Sequence, residues 1–142
     1  MIKEYTMEQL SEGKTCEKFH VSVTSEMMEM FQTLSGDENP IHTDARYARN
    51  QGMRDRVVYG MLTSSFYSKL VGMYLPGKFC ILHEIKINFN KPVYSGDSLC
   101  VSGVVTKKRE LFKRIEIAAK IVNQNGEKVS SAKIIVGVSD GT

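Results

Sequence analysis

Asp37 and His42 are the residues of this chain whose types and spacing point most directly to chemistry. They close the two ends of the run Asp37-Glu38-Asn39-Pro40-Ile41-His42, which sets a carboxylate and an imidazole five positions apart around a proline. A carboxylate and a neutral imidazole that converge on one water form an acid/base pair able to work near neutral pH. The residue before a proline is pushed to extended conformations, so Asn39-Pro40 is expected to keep the segment out of regular helix and to aim both side chains at one point. The plainer reading makes Asp37 a turn-former and His42 a loop histidine, as short pairs of this kind commonly are. The surrounding elements decide between the two.

Residues 15–23 read as a short strand, with Phe19, Val21 and Val23 at period two. Thr24 or Ser25 can cap a following helix that carries Glu26 in its first turn, has Met27, Phe31 and Leu34 on one stripe, and stops at Gly36. After the Asp/His turn, Thr43 can cap a short helix over residues 44–50, with Tyr47 and Ala48 facing inward and Gly52 ending it. Between Val57 and Gly77 the only charged residue is Lys69, so the helix opening at Gly60 is expected to be buried nearly all round until Pro76-Gly77 breaks it. Strand follows strand from there: Ile81, His83, Ile85, Ile87 and Phe89; Leu99, Val101 and Val105; Ile115, Ile117, Ala119 and Ile121; Ile134, Val136 and Val138. Asn125-Gly126 predicts a type I′ hairpin between the last two. Antiparallel strands after one apolar helix give an α+β layout, a curved sheet wrapped around a central helix.

The totals fit one domain over residues 1–142. A net charge of +3, with basic residues scattered apart from Lys107-Lys108-Arg109, argues against a nucleic-acid partner. That triplet reads first as a solvated hairpin tip, and second as a contact for a phosphate-bearing substrate or acidic carrier. Cys16, Cys80 and Cys100 are odd in number and lack metal-finger spacing, so reduced thiols, no metal site and a cytoplasmic location are expected. No apolar stretch reaches the length of a signal peptide or a membrane span, so no membrane association is expected.

The run from Ser35 to Asp44, followed by Tyr59-Gly60-Met61-Leu62, resembles the hydratase motif of the MaoC-like, (R)-specific enoyl-CoA hydratases, which have the hotdog fold. The segment Phe89-Asn90-Lys91-Pro92-Val93-Tyr94-Ser95-Gly96-Asp97 resembles the strand and turn that follow the family's central helix. The resemblance implies that Asp37 and His42 are the catalytic pair and that Asn39 and Pro40 hold their turn. It implies that the Gly60 N–H faces the thioester carbonyl, that Tyr59 and Met61 flank it, and that Ser68 supports the aspartate. It also implies an acyl-thioester substrate on coenzyme A or an acyl carrier protein, no further cofactor, and a homodimer or dimer of dimers. Tyr59 stands where the family usually has histidine, which bears on pocket shape.

The chemistry agrees with the analogy. Hydrating a double bond conjugated to a thioester needs a base for the water, a proton for the α-carbon, and stabilisation of charge on the thioester oxygen. An N–H at a helix start suits the last of these, because the first N–H groups lack intrahelical partners. The expected function is therefore a lyase of (2E)-enoyl and (3R)-3-hydroxyacyl thioesters. The alternatives are a hotdog thioesterase and a non-catalytic acyl-thioester binding subunit. His20 and His83 read as structural, Met27, Met28 and Met30 as core filling, and Tyr47, Tyr59 and Tyr67 as pocket or core. Ser64 and Ser65 are expected to bond back to helix carbonyls.

Overall fold

Period-two patterning in the second half of the chain becomes a five-stranded antiparallel sheet in the computed structural model, which describes residues 1–139. Its strands are β1 (Phe19–Ser22), β2 (Cys80–Phe89), β3 (Ser98–Arg109), β4 (Arg114–Val122) and β5 (Lys128–Val138), in the order β1-β3-β4-β5-β2. Four helices precede β2: α1 (Ser25–Ser35), α2 (Pro40–Thr43), α3 (Ala45–Asn50) and α4 (Gly60–Lys69), the last running into a π-helical turn over Leu70–Tyr74. The register sets Val101 opposite Ile121 and Ile117 opposite Ile134, so the expected apolar faces coincide. Leu99, Val101, Ile117, Ile121 and Ile134 are fully buried, each worth about 1.5–3 kcal/mol of transfer free energy. This face packs on α4, where the buried Tyr67 hydroxyl donates to Ser130 Oγ of β5 at 2.8 Å.

The helix boundaries follow local chemistry, with several departures from expectation. Thr24 Oγ1 accepts from the Met27 N–H at 3.2 Å and Gly36 stops α1 at φ 74°, both as expected. Met28 is the buried residue of α1, while Leu34 is 83% exposed and Met30 is exposed too, because the last turn runs past the core towards a cleft lined by Phe31 and Ser35. Pro40 does not exclude helix; it opens α2, since the N–H it lacks would have had no intrahelical partner there. Asn39 is the cap, its Oδ1 accepting from the Ile41 N–H at 3.0 Å. Asp44, rather than Thr43, caps α3, accepting from the N–H groups of Arg46 and Tyr47. A carboxylate also suits the positive end of the helix dipole. Ala48 is buried as expected, but Tyr47 is exposed.

α4 is not buried all round. The sheet covers one side only, and Met61, Ser65, Ser68 and Lys69 are exposed on the other. β1 is shorter than expected, its N-terminal part reduced to a single bridge from Thr15 to Val104. At the β4–β5 hairpin, Gly126 has φ 75° but Asn125 stays at negative φ, which excludes type I′. The Gly126 N–H bonds to the Asn123 carbonyl and the glycine takes up the extra residue, a longer loop with the twist the strands need. Lys107, Lys108 and Arg109 end β3, and the hairpin tip itself is the 3-10 turn over Glu110–Phe112.

Candidate active site

The short helix α2 and the start of α4 bring the sequence-predicted pair to one cleft of about 330 Å3, lined by Phe31, Ser35, Asp37, His42, Tyr59, Gly60, Met61 and Phe89. Asp37 is exposed there, and its Oδ1 accepts from the Asn39 N–H at 3.0 Å, which fixes one carboxylate oxygen. His42 lies on α2 with Nδ1 at 2.7 Å from the Val57 carbonyl oxygen. A carbonyl can only accept, so Nδ1 carries the hydrogen, and of the two neutral tautomers this bond selects the one with Nε2 as the acceptor. The Val57 N–H in turn donates to the Ile41 carbonyl at 3.0 Å, so one residue grips α2 through both of its backbone groups.

Tyr59 joins the two members of the pair. Its hydroxyl donates to the Asp37 carbonyl at 2.7 Å, and its ring stacks on His42 with centroids 4.1 Å apart. Phe31 of α1 packs on the other part of the ring, at 4.8 Å. The side chain is 2% exposed; burial, then the nearby Asp37 charge, pushes its phenol up from the ordinary 10.0. Tyr59 is therefore a neutral donor at physiological pH. Tyr59 thus bridges Asp37 and His42 as a clamp.

Gly60 is the first residue of α4, and among the described residues no acceptor is recorded for its N–H. Its carbonyl, by contrast, accepts from both the Thr63 and Ser64 hydroxyls at 2.8 Å. Ser65 likewise bonds back, to the Leu62 carbonyl, as expected of hydroxyls on this helix. A side chain at position 60 would meet the Phe89 ring, with Cβ 2.8 Å from Cε1. A second cleft, about 350 Å3, starts from the same place and is lined by His42, Val57, Val58, Gly60, Thr63, Phe89, Asn90, Lys91, Pro92, Val93 and Val129.

Asp37, His42, Tyr59, Gly60 and Met61 thus share one cleft, and Asn39 and Pro40 build the turn and cap beneath it. Ser68 does not join them within the protomer. It is exposed, lines neither cleft, and lies eight residues along α4 from Gly60, about 12 Å by helix rise. Reading the sequence missed the Val57 carbonyl, which no side-chain pattern signals. It also missed Phe89, whose position three residues before Pro92 at the end of an alternating strand was a usable cue. Among the described residues, no three or more of His, Cys, Asp and Glu gather to hold a metal ion. No helix there is long and apolar enough to cross a membrane. Cys16, Cys80 and Cys100 are free and half-buried, and burial pushes the Cys80 thiol up to about 11.

The model of the MaoC like domain matches residues 9–126 of the chain. The (R)-specific enoyl-CoA hydratase of Aeromonas caviae is 33% identical over 106 residues, spanning 75% of this chain and 79% of that protein. The (R)-specific enoyl-CoA hydratase of Rhodospirillum rubrum is 30% identical over 121 residues, 81% of this chain and 83% of that one. Among solved structures, the unliganded R-hydratase PhaJ1 from Pseudomonas aeruginosa has a TM-score of 0.89 at 27% identity, covering 98% of this chain and 88% of the other. With the family model spanning most of the chain and the sheet and central helix laid out as in that structure, this protein belongs to the MaoC-like domain family and has the hotdog fold.

Proposed function

We propose that the protein is a lyase that adds water to a (2E)-enoyl thioester, or removes it from the (3R)-3-hydroxyacyl thioester, carried on coenzyme A or an acyl carrier protein. The observation that carries this reading is the meeting of Asp37, His42 and the Gly60 N–H on one cleft. The names of the relatives, (R)-specific enoyl-CoA hydratases among them, support the same reaction class. In the hydration direction the Asp37 carboxylate accepts a proton from the water, whose oxygen bonds to the β-carbon. His42 Nε2 accepts a hydrogen bond from the second O–H of that water, which stays on the product hydroxyl, and so orients it, a role its Val57-bound tautomer suits. The proton that Asp37 took from the water is returned to the α-carbon, which restores the carboxylate and completes the 3-hydroxyacyl thioester. The charge that collects on the thioester oxygen is met by the Gly60 N–H at the positive end of α4.

The test is the absorbance of the conjugated band of crotonyl-CoA. Hydration removes it without releasing thiol, hydrolysis releases thiol, and a binding subunit does neither. Asp37→Asn and His42→Gln are each expected to lower turnover by roughly 10²-fold or more with the fold intact, as for loss of a positioned acid/base group. Near-full activity in either variant removes that residue from the mechanism.

The same reading includes a homodimer. β2 is an edge strand of ten residues with Ile81 and Leu82 exposed, and the stripe Met61, Ser65 and Ser68 of α4 is uncovered. An edge strand of this length presents a row of unpaired N–H and C=O groups that calls for a partner. Sedimentation at micromolar concentration is expected to give twice the 16.0 kDa chain mass; a fully active monomer refutes it.

A further inference from the structure

Three residues, His42, Gly60 and Phe89, are common to the two clefts, so they form the wall between them. A thioester substrate has its reacting carbons in mid-molecule, with the acyl tail on one side and the sulfur and carrier arm on the other. It therefore needs two channels that meet where the carbonyl and the double bond lie. Each cleft, near 350 and 330 Å3, is at the small end of the range for ligand pockets. The one beyond Phe89 is walled by Val57, Val58, Val93 and Val129; besides His42 its polar lining is Thr63, Asn90 and Lys91, and the Lys91 ammonium is paired with Glu127, which leaves the valine wall to suit an alkyl tail.

Two of the three wall residues are fixed by their chemistry. Gly60 contributes backbone, and His42 is held by the Val57 carbonyl and the Tyr59 ring. Phe89 is different. Its backbone is anchored, because the N–H groups of Asn90 and Lys91 both reach the Val129 carbonyl. Its side chain is 56% exposed and, among the described residues, stacks on no other aromatic ring. The ring fills the space a Cβ on Gly60 would need, so it stands beside the N–H assigned above to the thioester oxygen.

Building on the hydratase reading, we propose that Phe89 is the specificity-determining partition of this site: its ring closes the valine-lined cleft to long acyl tails and so sets the chain length accepted. A pocket resolves single methylene groups by about tenfold or more, so a wall of ring size governs selectivity strongly. The test compares wild type, Phe89→Leu and Phe89→Ala on butenoyl-, hexenoyl- and decenoyl-CoA. Phe89→Ala is expected to raise the decenoyl-to-butenoyl ratio of kcat/KM by about tenfold or more, chiefly through KM for the long substrate, with Phe89→Leu intermediate. A ring that only supports the fold would lower all three substrates in parallel; an unchanged ratio overturns the proposal. Calorimetric binding of decanoyl- and butyryl-CoA separates this proposal from the reaction it rests on. If wild type hydrates nothing, the hydratase reading fails. The ratio of the two Kd values should still move about tenfold in Phe89→Ala if the partition exists, and an unmoved ratio refutes it.

Discussion

Removing one oxygen atom, in Tyr59→Phe, separates the two ways in which Tyr59 can matter. The hydroxyl makes a 2.7 Å bond to the Asp37 carbonyl, while the ring stacks on His42 and packs at a tilt against Phe31. A side-chain hydrogen bond contributes about 0.5–1.5 kcal/mol net. Asp37 is exposed, so water can take over its carbonyl, and the stability lost should lie near the lower end, roughly 0.5–1 kcal/mol. That corresponds to a fall of a few degrees in Tm for a domain of this size. The rings stay stacked, so His42 keeps its place and its tautomer. What loosens is the aspartate, and a displacement on the order of 1 Å costs up to about 10²-fold in rate. We expect kcat to fall about tenfold with KM nearly unchanged. Tyr59→Ala removes both ring contacts as well and should cost about 3–5 kcal/mol of stability, as for other large aromatic truncations. The assays are thermal unfolding followed by circular dichroism and loss of crotonyl-CoA absorbance. A Tyr59→Phe protein with wild-type kcat, whatever its Tm, would show that Asp37 is positioned without the clamp.

Gly60→Ala should change stability by less than about 1 kcal/mol, because a helix start accepts alanine and the exposed Phe89 ring can give way. Alanine keeps the N–H, but its Cβ would hold the thioester oxygen away from it, so kcat should fall about 10²–10³-fold, as when one oxyanion donor is lost. Recovery of that rate in Gly60→Ala/Phe89→Ala, relative to Phe89→Ala alone, would instead assign the loss to the displaced ring. Tyr67 governs alkaline stability: burial pushes its phenol from 10.0 up to about 12, although Ser130 opposes the shift. The unfolded chain ionises first, so this contribution is complete below pH 10 and is lost as pH rises from about 10 to 12, at most about 2–3 kcal/mol. Tyr67→Phe should flatten that part of a stability-against-pH curve, and an unaltered slope would rule Tyr67 out as its cause.

Patterns of short range were legible in the sequence. Strand faces such as Ile115, Ile117, Ala119 and Ile121 follow from alternation alone, and α1 begins and ends where Thr24 and Gly36 permit. Errors arose where two local rules compete. Asn39-Pro40 both restricts the residue before proline and supplies a cap with proline at the first helical position, and the second effect wins. Thr43 and Asp44 were both able to cap α3, and the carboxylate does so. The low charge of α4 suggested complete burial, whereas it leaves an uncovered stripe that only tertiary structure reveals. Within the cleft, Asp37 and His42 stood out by residue type and spacing, and Gly60 entered through the family resemblance. The Val57 carbonyl and the Tyr59–Asp37 bond join residues distant in sequence and carry no signature of their own, while the Phe89 wall had only its place at the end of an alternating strand to mark it.

Val57 has a consequence for how this site tolerates change. α2 is a single turn, too short to persist by itself. Its Ile41 carbonyl and the His42 ring are both tied to the backbone of Val57, and the isopropyl group takes part in neither bond. A saturation scan would therefore report on the cleft that the side chain walls and conceal what the backbone of position 57 does for the acid/base pair. Only a change to the main chain exposes it. Proline removes the N–H that holds Ile41, and an amide-to-ester replacement after residue 57 weakens the carbonyl that sets the imidazole tautomer. Variation at this position thus leaves the acid/base pair untouched so long as the peptide bonds remain, and acts instead through the valine-lined cleft that the side chain helps to wall.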